Sequence, residues 1–138
     1  SKTTDVADYS ATDKKIIEDY LAANNLTAQS TASGLYYIIE KPGGSYHATI
    51  NSQVSALYKG YLINGTVFDQ STLSYNNPAT FALTSVIAGW QEGIPLVGVG
   101  GKIKLLVPSA MGYGSVAKTT IPANSVLIFD IEIVDIFN

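Results

Sequence analysis

Apolar residues recur at helical spacing near one end of the chain and at strand spacing through most of the rest. Between Thr12 and Leu26, the side chains of Ile16, Ile17, Tyr20, Leu21 and Leu26 fall on one side of a helical period. Ser10, Thr12 and Asp13 are cap candidates ahead of this stretch, and Asn24-Asn25 is a stop signal. The pattern predicts an amphipathic N-terminal helix. Its apolar stripe has to be covered, either by its own domain or by a second copy of the chain. Ahead of it, Ser1 to Ser10 has no periodicity and reads as a flexible lead-in; behind it, Thr27 to Ser33 reads as a polar linker.

Downstream the pattern becomes that of strands. Gly34 to Glu40 is rich in β-formers and stops at the turn composition Lys41-Pro42-Gly43-Gly44. Gln53 to Ile63 and Thr66 to Asp69 flank Asn64-Gly65, the dipeptide that best tolerates the positive φ angles of a two-residue hairpin turn. Lys102 to Val107 alternates Ile103, Leu105 and Val107 against Lys102, Lys104 and Leu106. Ser125 to Phe137 alternates Leu127, Phe129, Ile131 and Ile133 against a mixed face carrying Asp130 and Glu132. Each predicts a half-buried antiparallel strand. Ser85 to Gly93 is the second helical candidate, with Val86 and Trp90 one turn apart, Thr84 or Ser85 as cap, and Gly93 and Pro95 ending it. The fold class expected is α+β, an antiparallel sheet with one short helix and an extra N-terminal helix. Residues 1–33 form the lead-in and helix, and residues 34–138 form the main domain.

Composition removes several function classes. The 138 residues suit one core, and with 14% charged residues and a net charge of -3 there is no basic surface for nucleic acid. The absence of cysteine excludes disulfides, iron–sulfur clusters and thiolate zinc sites. The single histidine, His47, lies in a polar stretch and reads as surface, and no serine sits in a G-x-S-x-G elbow for Ser-His-Asp hydrolysis. Gly98-Val99-Gly100-Gly101 is no phosphate cradle, because no Lys-Ser/Thr follows and the next element is a strand. Neither a cofactor nor a metal is expected. No apolar run reaches the roughly 18 residues of a membrane-spanning helix. Met111 is the only methionine, so the expectation is that a segment upstream of Ser1 was cleaved or omitted. Together with the missing cysteines and the Ser/Thr/Asn-rich lead-in, this suggests an exported bacterial protein, periplasmic or envelope-tethered, with a cytoplasmic one as the alternative.

Three blocks carry a resemblance. The first runs from Tyr58-Lys59-Gly60 through Gly65 to Phe68-Asp69-Gln70-Ser71. The second is Val86-Ile87-Ala88-Gly89-Trp90-Gln91-Glu92-Gly93, followed by the strand at Gly101 to Lys104. The third is Pro108-Ser109-Ala110-Met111-Gly112-Tyr113-Gly114, then Ile121-Pro122 and Leu127 to Glu132. In order and spacing they resemble the FKBP-type peptidyl-prolyl cis/trans isomerases over Gly34 to Asn138, about three quarters of the chain.

The resemblance implies a sheet wrapped around one short helix and an activity that twists X-Pro bonds in polypeptides without a cofactor. It implies Trp90 as the floor of an apolar pocket, Tyr58, Phe68, Val86, Ile87 and Phe129 as walls, and Ile121 on an overhanging loop. Tyr113 would donate its hydroxyl to a substrate carbonyl, the Ile87 N–H would be a second donor, and Asp69 would sit at the rim, accepting from Tyr58, with no proton-transfer role. Taken singly, Phe68, Phe129, Val86 and Ile87 read as core residues sooner than as site residues, and Trp90 reads equally as packed or as lining a cavity. Tyr113, in a glycine-flanked loop, is the strongest functional candidate on residue grounds alone.

Two positions depart from the family pattern. Ala79 stands where many members have a pocket-closing aromatic, and Thr120 where an apolar residue often precedes Ile121. A wider, wetter pocket and weak macrolide binding are expected. Proline-containing polypeptides are the expected partners, and a monomer rather than a dimer. The competing reading is a chaperone or peptide-binding module using the same groove, or the helix around Ile16 and Leu21, with little catalysis. A small β-barrel carrier would not account for the spacing of the three blocks.

Overall fold

A computed structural model describes residues 8–72 and 74–138. The expected lead-in lies largely outside them, and it is shorter than predicted, because Ser10 is already helical. Helix α1 spans Ser10–Ala23. None of the expected caps serves: the capping position is Tyr9, and the Ser10 N–H donates to Asp8 Oδ1 at 2.9 Å. The stop is as expected, with the Asn24 side chain donating to the Tyr20 carbonyl at 2.8 Å and Asn25 left-handed at φ 54°.

The expected linker holds a short strand, β1 (Gln29–Ser30), paired antiparallel with β2 (Tyr36–Lys41). Both β1 side chains are exposed, so this pairing is made by the backbone and leaves no apolar signature. The sheet continues with β3 (Gln53–Leu62), β4 (Val67–Gln70), β5 (Ala79–Ala82), β6 (Lys102–Val107) and β7 (Leu127–Phe137). Their order is β1-β2-β6-β7-β3-β4, with β5 also on β3, and every pairing is antiparallel.

The β3–β4 connection departs from the two-residue turn. The Leu62 N–H donates to the Thr66 carbonyl and the Gly65 N–H to the Leu62 carbonyl, enclosing Ile63, Asn64 and Gly65. Only Gly65 has positive φ, at 90°. Asn64 instead uses its Oδ1 to accept the Thr66 N–H at 3.0 Å, a local bond typical of Asn in turns.

The second helix is also shorter than its pattern. Leu83–Ser85 forms one 3-10 turn, Val86 and Ile87 are extended, and α2 occupies only Ala88–Gly93. Val86 is therefore off the helix, and Ile87, not Thr84 or Ser85, is the capping residue. The Gln91 side chain holds this break open, its Nε2 donating to the Val86 carbonyl at 3.0 Å and the Thr84 carbonyl at 3.3 Å. Gly93 ends α2, and Pro95 sits in a further 3-10 turn, Ile94–Leu96.

Both faces of the sheet are buried. On one, Ile103, Leu105 and Val107 of β6 and Phe129, Ile131 and Ile133 of β7 form the main core with Trp90 of α2. A Cβ at Gly89 would come within 2.7 Å of a Val107 methyl, so the absent side chain sets how closely α2 lies on β6. On the other face, Ile17 and Leu21 of α1 cover Tyr36, Leu106, Val126 and Ile128. Leu106 is 0% exposed although it alternates in phase with Lys102 and Lys104. The stripe on α1 is thus covered by its own domain, and residues 10–33 share a core with the sheet. No helix among the described residues is long and apolar enough to cross a membrane.

Beside α1, Lys104 donates to Asp130 Oδ1 and to the Tyr61 hydroxyl, both at 2.7 Å, and Tyr61 donates to Asp130 Oδ2 at 3.0 Å. Burial, modified by the lysine and the carboxylate, pushes the Tyr61 hydroxyl up to about 12. A raised tyrosine value means that the protonated form favours the fold. That contribution is complete below the unfolded value of roughly 10 and is lost as pH rises through about 12. Tyr61→Phe should therefore flatten the alkaline fall in the urea midpoint above pH 10, and an unchanged slope would show that Tyr61 does not titrate there. Ile17→Ala should cost about 2–4 kcal/mol by chemical denaturation, since Ile17 is 0% exposed. A cost below about 1 kcal/mol would mean that α1 is not firmly docked.

Candidate functional site

At the start of α2 the sheet leaves a cavity of about 370 Å³. Its floor is Trp90, 5% exposed, boxed by three rings. Tyr58 stands edge-on at 5.0 Å and 83°, Phe129 at 5.1 Å and 84°, and Phe81 is tilted at 5.1 Å and 58°. Phe68 extends the wall, edge-on to Phe129 at 5.5 Å. Such pairs add to simple burial because ring edges and faces carry opposite partial charge. The Trp90 Nε1 is buried and meets no hydrogen-bond acceptor among the described residues, so the otherwise apolar floor carries one unpaired donor.

Strand register brings these rings together. Gly60 of β3 pairs with Phe129 of β7 on one side and Asp69 of β4 on the other. A Cβ at Gly60 would lie 2.7 Å from the Phe129 ring and 2.8 Å from the Phe68 ring, so both rings lie over the bare backbone. Tyr58, two residues earlier on the same face, donates its hydroxyl to Asp69 Oδ2 at 2.7 Å. The second oxygen of Asp69 accepts the Gln70 N–H at 2.9 Å. Burial first, then the Asp69 hydrogen bond, hold the Tyr58 hydroxyl well above the ordinary tyrosine value, so it is protonated throughout the neutral range. Asp69 thus has both oxygens engaged at the rim.

Val86, Ile87 and Tyr113 complete the lining named from the sequence. Val86 and Ile87, extended ahead of α2, both line the cavity. The Ile87 carbonyl accepts the N–H groups of Trp90 and Gln91, while its own N–H meets no acceptor among the described residues. Tyr113 is 37% exposed at the mouth, with the Lys118 ammonium 5.2 Å from its ring centre.

Ile121 is the expected residue that the structure does not bring to the cavity. It is 6% exposed and packed in the main core, and a pair of backbone hydrogen bonds with Lys118 closes its loop. Its neighbour Thr120 is exposed, so the apolar member of the pair points inward and the polar one outward. Phe81 is the aromatic wall residue missed by sequence reasoning; Thr80 and Ser85, also in the lining, were not named for it either. Phe81 lies two positions after Ala79 on β5, so the two share a face, and its ring occupies the wall next to the gap that Ala79 leaves.

The arrangement offers an apolar slot with donors at its edge and no acid–base pair aimed into it. Residues 44–134 match the family described as FKBP-type peptidyl-prolyl cis-trans isomerase. The chain is 53% identical over 109 residues, 78% of its length and 43% of the relative's, to an FKBP-type peptidyl-prolyl cis-trans isomerase FkpA from Buchnera aphidicola. Its fold superposes on the crystal structure of FkpA from Escherichia coli with a TM-score of 0.81 and 34% identity, covering 96% of this chain and 61% of that one. A peptidyl-prolyl cis-trans isomerase from Pseudomonas syringae superposes at 0.78 with 30% identity, covering 99% of this chain and 100% of that one. The chain belongs to the FKBP-type peptidyl-prolyl cis-trans isomerase family. It spans less than half the length of the curated relatives it matches.

Gly60→Ala should force the Phe68 and Phe129 rings apart. The expected result is at least about a tenfold weaker occupancy of the cavity by a proline peptide, read by Trp90 fluorescence, with a stability loss of about 1–3 kcal/mol. Unaltered peptide binding would mean that those rings do not shape the site.

Proposed function

We propose that this chain accelerates cis/trans rotation about X-Pro bonds of polypeptides by holding the proline ring against Trp90. The observation that carries this reading is the buried indole of Trp90, boxed by Tyr58, Phe81 and Phe129, with Phe68 extending the wall of the cavity. Rotation is slow because twisting the C–N bond sacrifices amide resonance, a barrier of roughly 20 kcal/mol. No bond needs breaking. A planar amide is more polar than a twisted one, so a dry pocket disfavours the ground state relative to the transition state. In this reading Tyr113 donates its hydroxyl, and Ile87 its free N–H, to the carbonyls flanking the bond and fix the ends of the rotating segment. Tyr58, Phe68 and Phe129 exclude water, with Val86 beside them, while Asp69 holds Tyr58 in place.

Ala79 supports a second reading, a peptide-binding module with little turnover. A methyl group where a ring would close the wall leaves the slot open on that side, which also argues for weak macrolide binding. We further place the chain in the envelope of a bacterial cell, on its bacterial relatives and its lack of cysteine, and read it as a monomer, since its own sheet covers α1.

The test is cis-to-trans isomerisation of proline peptides with several residues before proline. The wild type should accelerate it; Phe68→Ala should lose at least about tenfold in kcat/KM, and Tyr113→Phe about two- to tenfold, the worth of one hydrogen bond. No acceleration with any peptide, while the peptides still bind, would favour the binding module.

A further inference from the structure

We infer that Asp13, on α1 and outside residues 44–134, is a positioning residue for Tyr113. The connection is a chain of hydrogen bonds with a single intermediate. Asp13 Oδ2 accepts both the backbone N–H of Ser109, at 2.9 Å, and its hydroxyl, at 2.6 Å. Both residues are buried, Asp13 at 1% and Ser109 at 3% exposure. The carbonyl of Ser109 then accepts the N–H of Gly112 at 3.0 Å and that of Gly114 at 2.8 Å, the residues on either side of Tyr113. Gly114 is left-handed, at φ 59°, and its own carbonyl takes the Asn124 N–H at 2.8 Å. The loop that presents Tyr113 is therefore fastened at Ser109, and Ser109 is fastened to α1.

A carboxylate is an unusual choice for a mere spacer between helix and loop. Burying one is costly unless hydrogen bonds compensate. Here the compensation comes from one residue and from the first turn of α1, where the helix dipole favours negative charge. Charge-assisted bonds are also shorter and more directional than neutral ones, so they locate Ser109 more sharply than packing would. Asp13 Oδ1 meets no partner among the described residues, and neither does the hydroxyl of Thr31, which lines the same cavity of about 590 Å³ between α1 and the Ser109 loop. Among the described residues, Asp13 Oδ2 is the one side-chain group of α1 that hydrogen-bonds Ser109. Its catalytic consequence rests on the reading of Tyr113 as a substrate donor given above.

The experiment has two arms, amide hydrogen exchange by NMR and a double-mutant cycle in the isomerase assay. Asp13→Ala should speed exchange at Gly112 and Gly114 by about tenfold or more, while Leu105 and Ile131 in the strands keep their protection. It should lower kcat/KM by about two- to tenfold, and Asp13→Asn, which keeps an acceptor oxygen, should recover part of the loss. In the Tyr113→Phe background the same substitution should cost nothing further. If Asp13→Ala does not fold, Asp13→Asn and Ser109→Ala carry both arms. Unchanged exchange at the two glycines, or an equal loss of kcat/KM with and without the Tyr113 hydroxyl, would overturn the inference. A wild-type protein without isomerase activity would instead overturn the reading of the site, and exchange at Gly112 and Gly114 would still decide whether Asp13 holds the loop.

Discussion

Strand β7 is bonded along both edges, to β3 and to β6, and the rest of the structure hangs on that register. Gly60 and Leu105 both pair with Phe129, and Tyr61 and Leu106 both pair with Ile128. Because side chains alternate across a strand, Phe129 enters the core beneath α2 and Ile128 enters the one beneath α1. A slip of one residue would exchange these two sets and destroy cavity and helix dock together. The wall of the site and the seat of the N-terminal helix are thus opposite sides of one segment of backbone.

Within that frame the cavity is made by omission as much as by presence. Gly60 has no side chain, so Phe68 and Phe129 can approach the β3 backbone; Gly89 has none, so α2 can bring Trp90 down onto β6. The break at Val86 and Ile87, held by Gln91, takes the chain out of the helical path just before the indole and sets two apolar residues in the lining of the slot. Tyr58 is engaged with Asp69 at the rim, and the interior is apolar apart from the unpaired Trp90 N–H.

Much of this was legible in the sequence, and what escaped did so for physical reasons. The strands of β6 and β7 announce themselves by alternation, and the three motif blocks contain every cavity residue except Ser85 and those of β5. Leu106 and Ile128 sat in the sequence as apolar intruders on faces otherwise carrying Lys104 and Asp130, and the stripe Ile17, Leu21 on α1 was the matching half of that signal. Turn and cap details were less readable because they depend on which of several local bonds wins. Asn64 bonds to Thr66 in place of adopting a left-handed backbone, and Gln91 competes for the carbonyls that a longer helix would have used. Ile121 and Thr120 differ in burial through a loop closure that leaves no periodic trace. Asp13 read as a cap from its position, since nothing local points to a serine 96 residues away.

That long-range bond bears on where the functional unit begins. Removing residues 1–33 would seem a clean way to separate a catalytic domain from a helix that holds unfolded chains. Yet α1 covers Leu106 and Ile128, β1 pairs with β2, and Asp13 compensates buried donors of Ser109. Such a deletion would expose apolar surface and take from Ser109 the carboxylate that its N–H and hydroxyl bond, which frees the Tyr113 loop. Lost activity after truncation would then report a damaged loop, and a gain in binding to unfolded chains would report newly bared core. The Lys15–Asp19 pair on the exposed side of α1 bonds to neither the sheet nor the Ser109 loop, and it is there that any separate role of the helix is open to measurement.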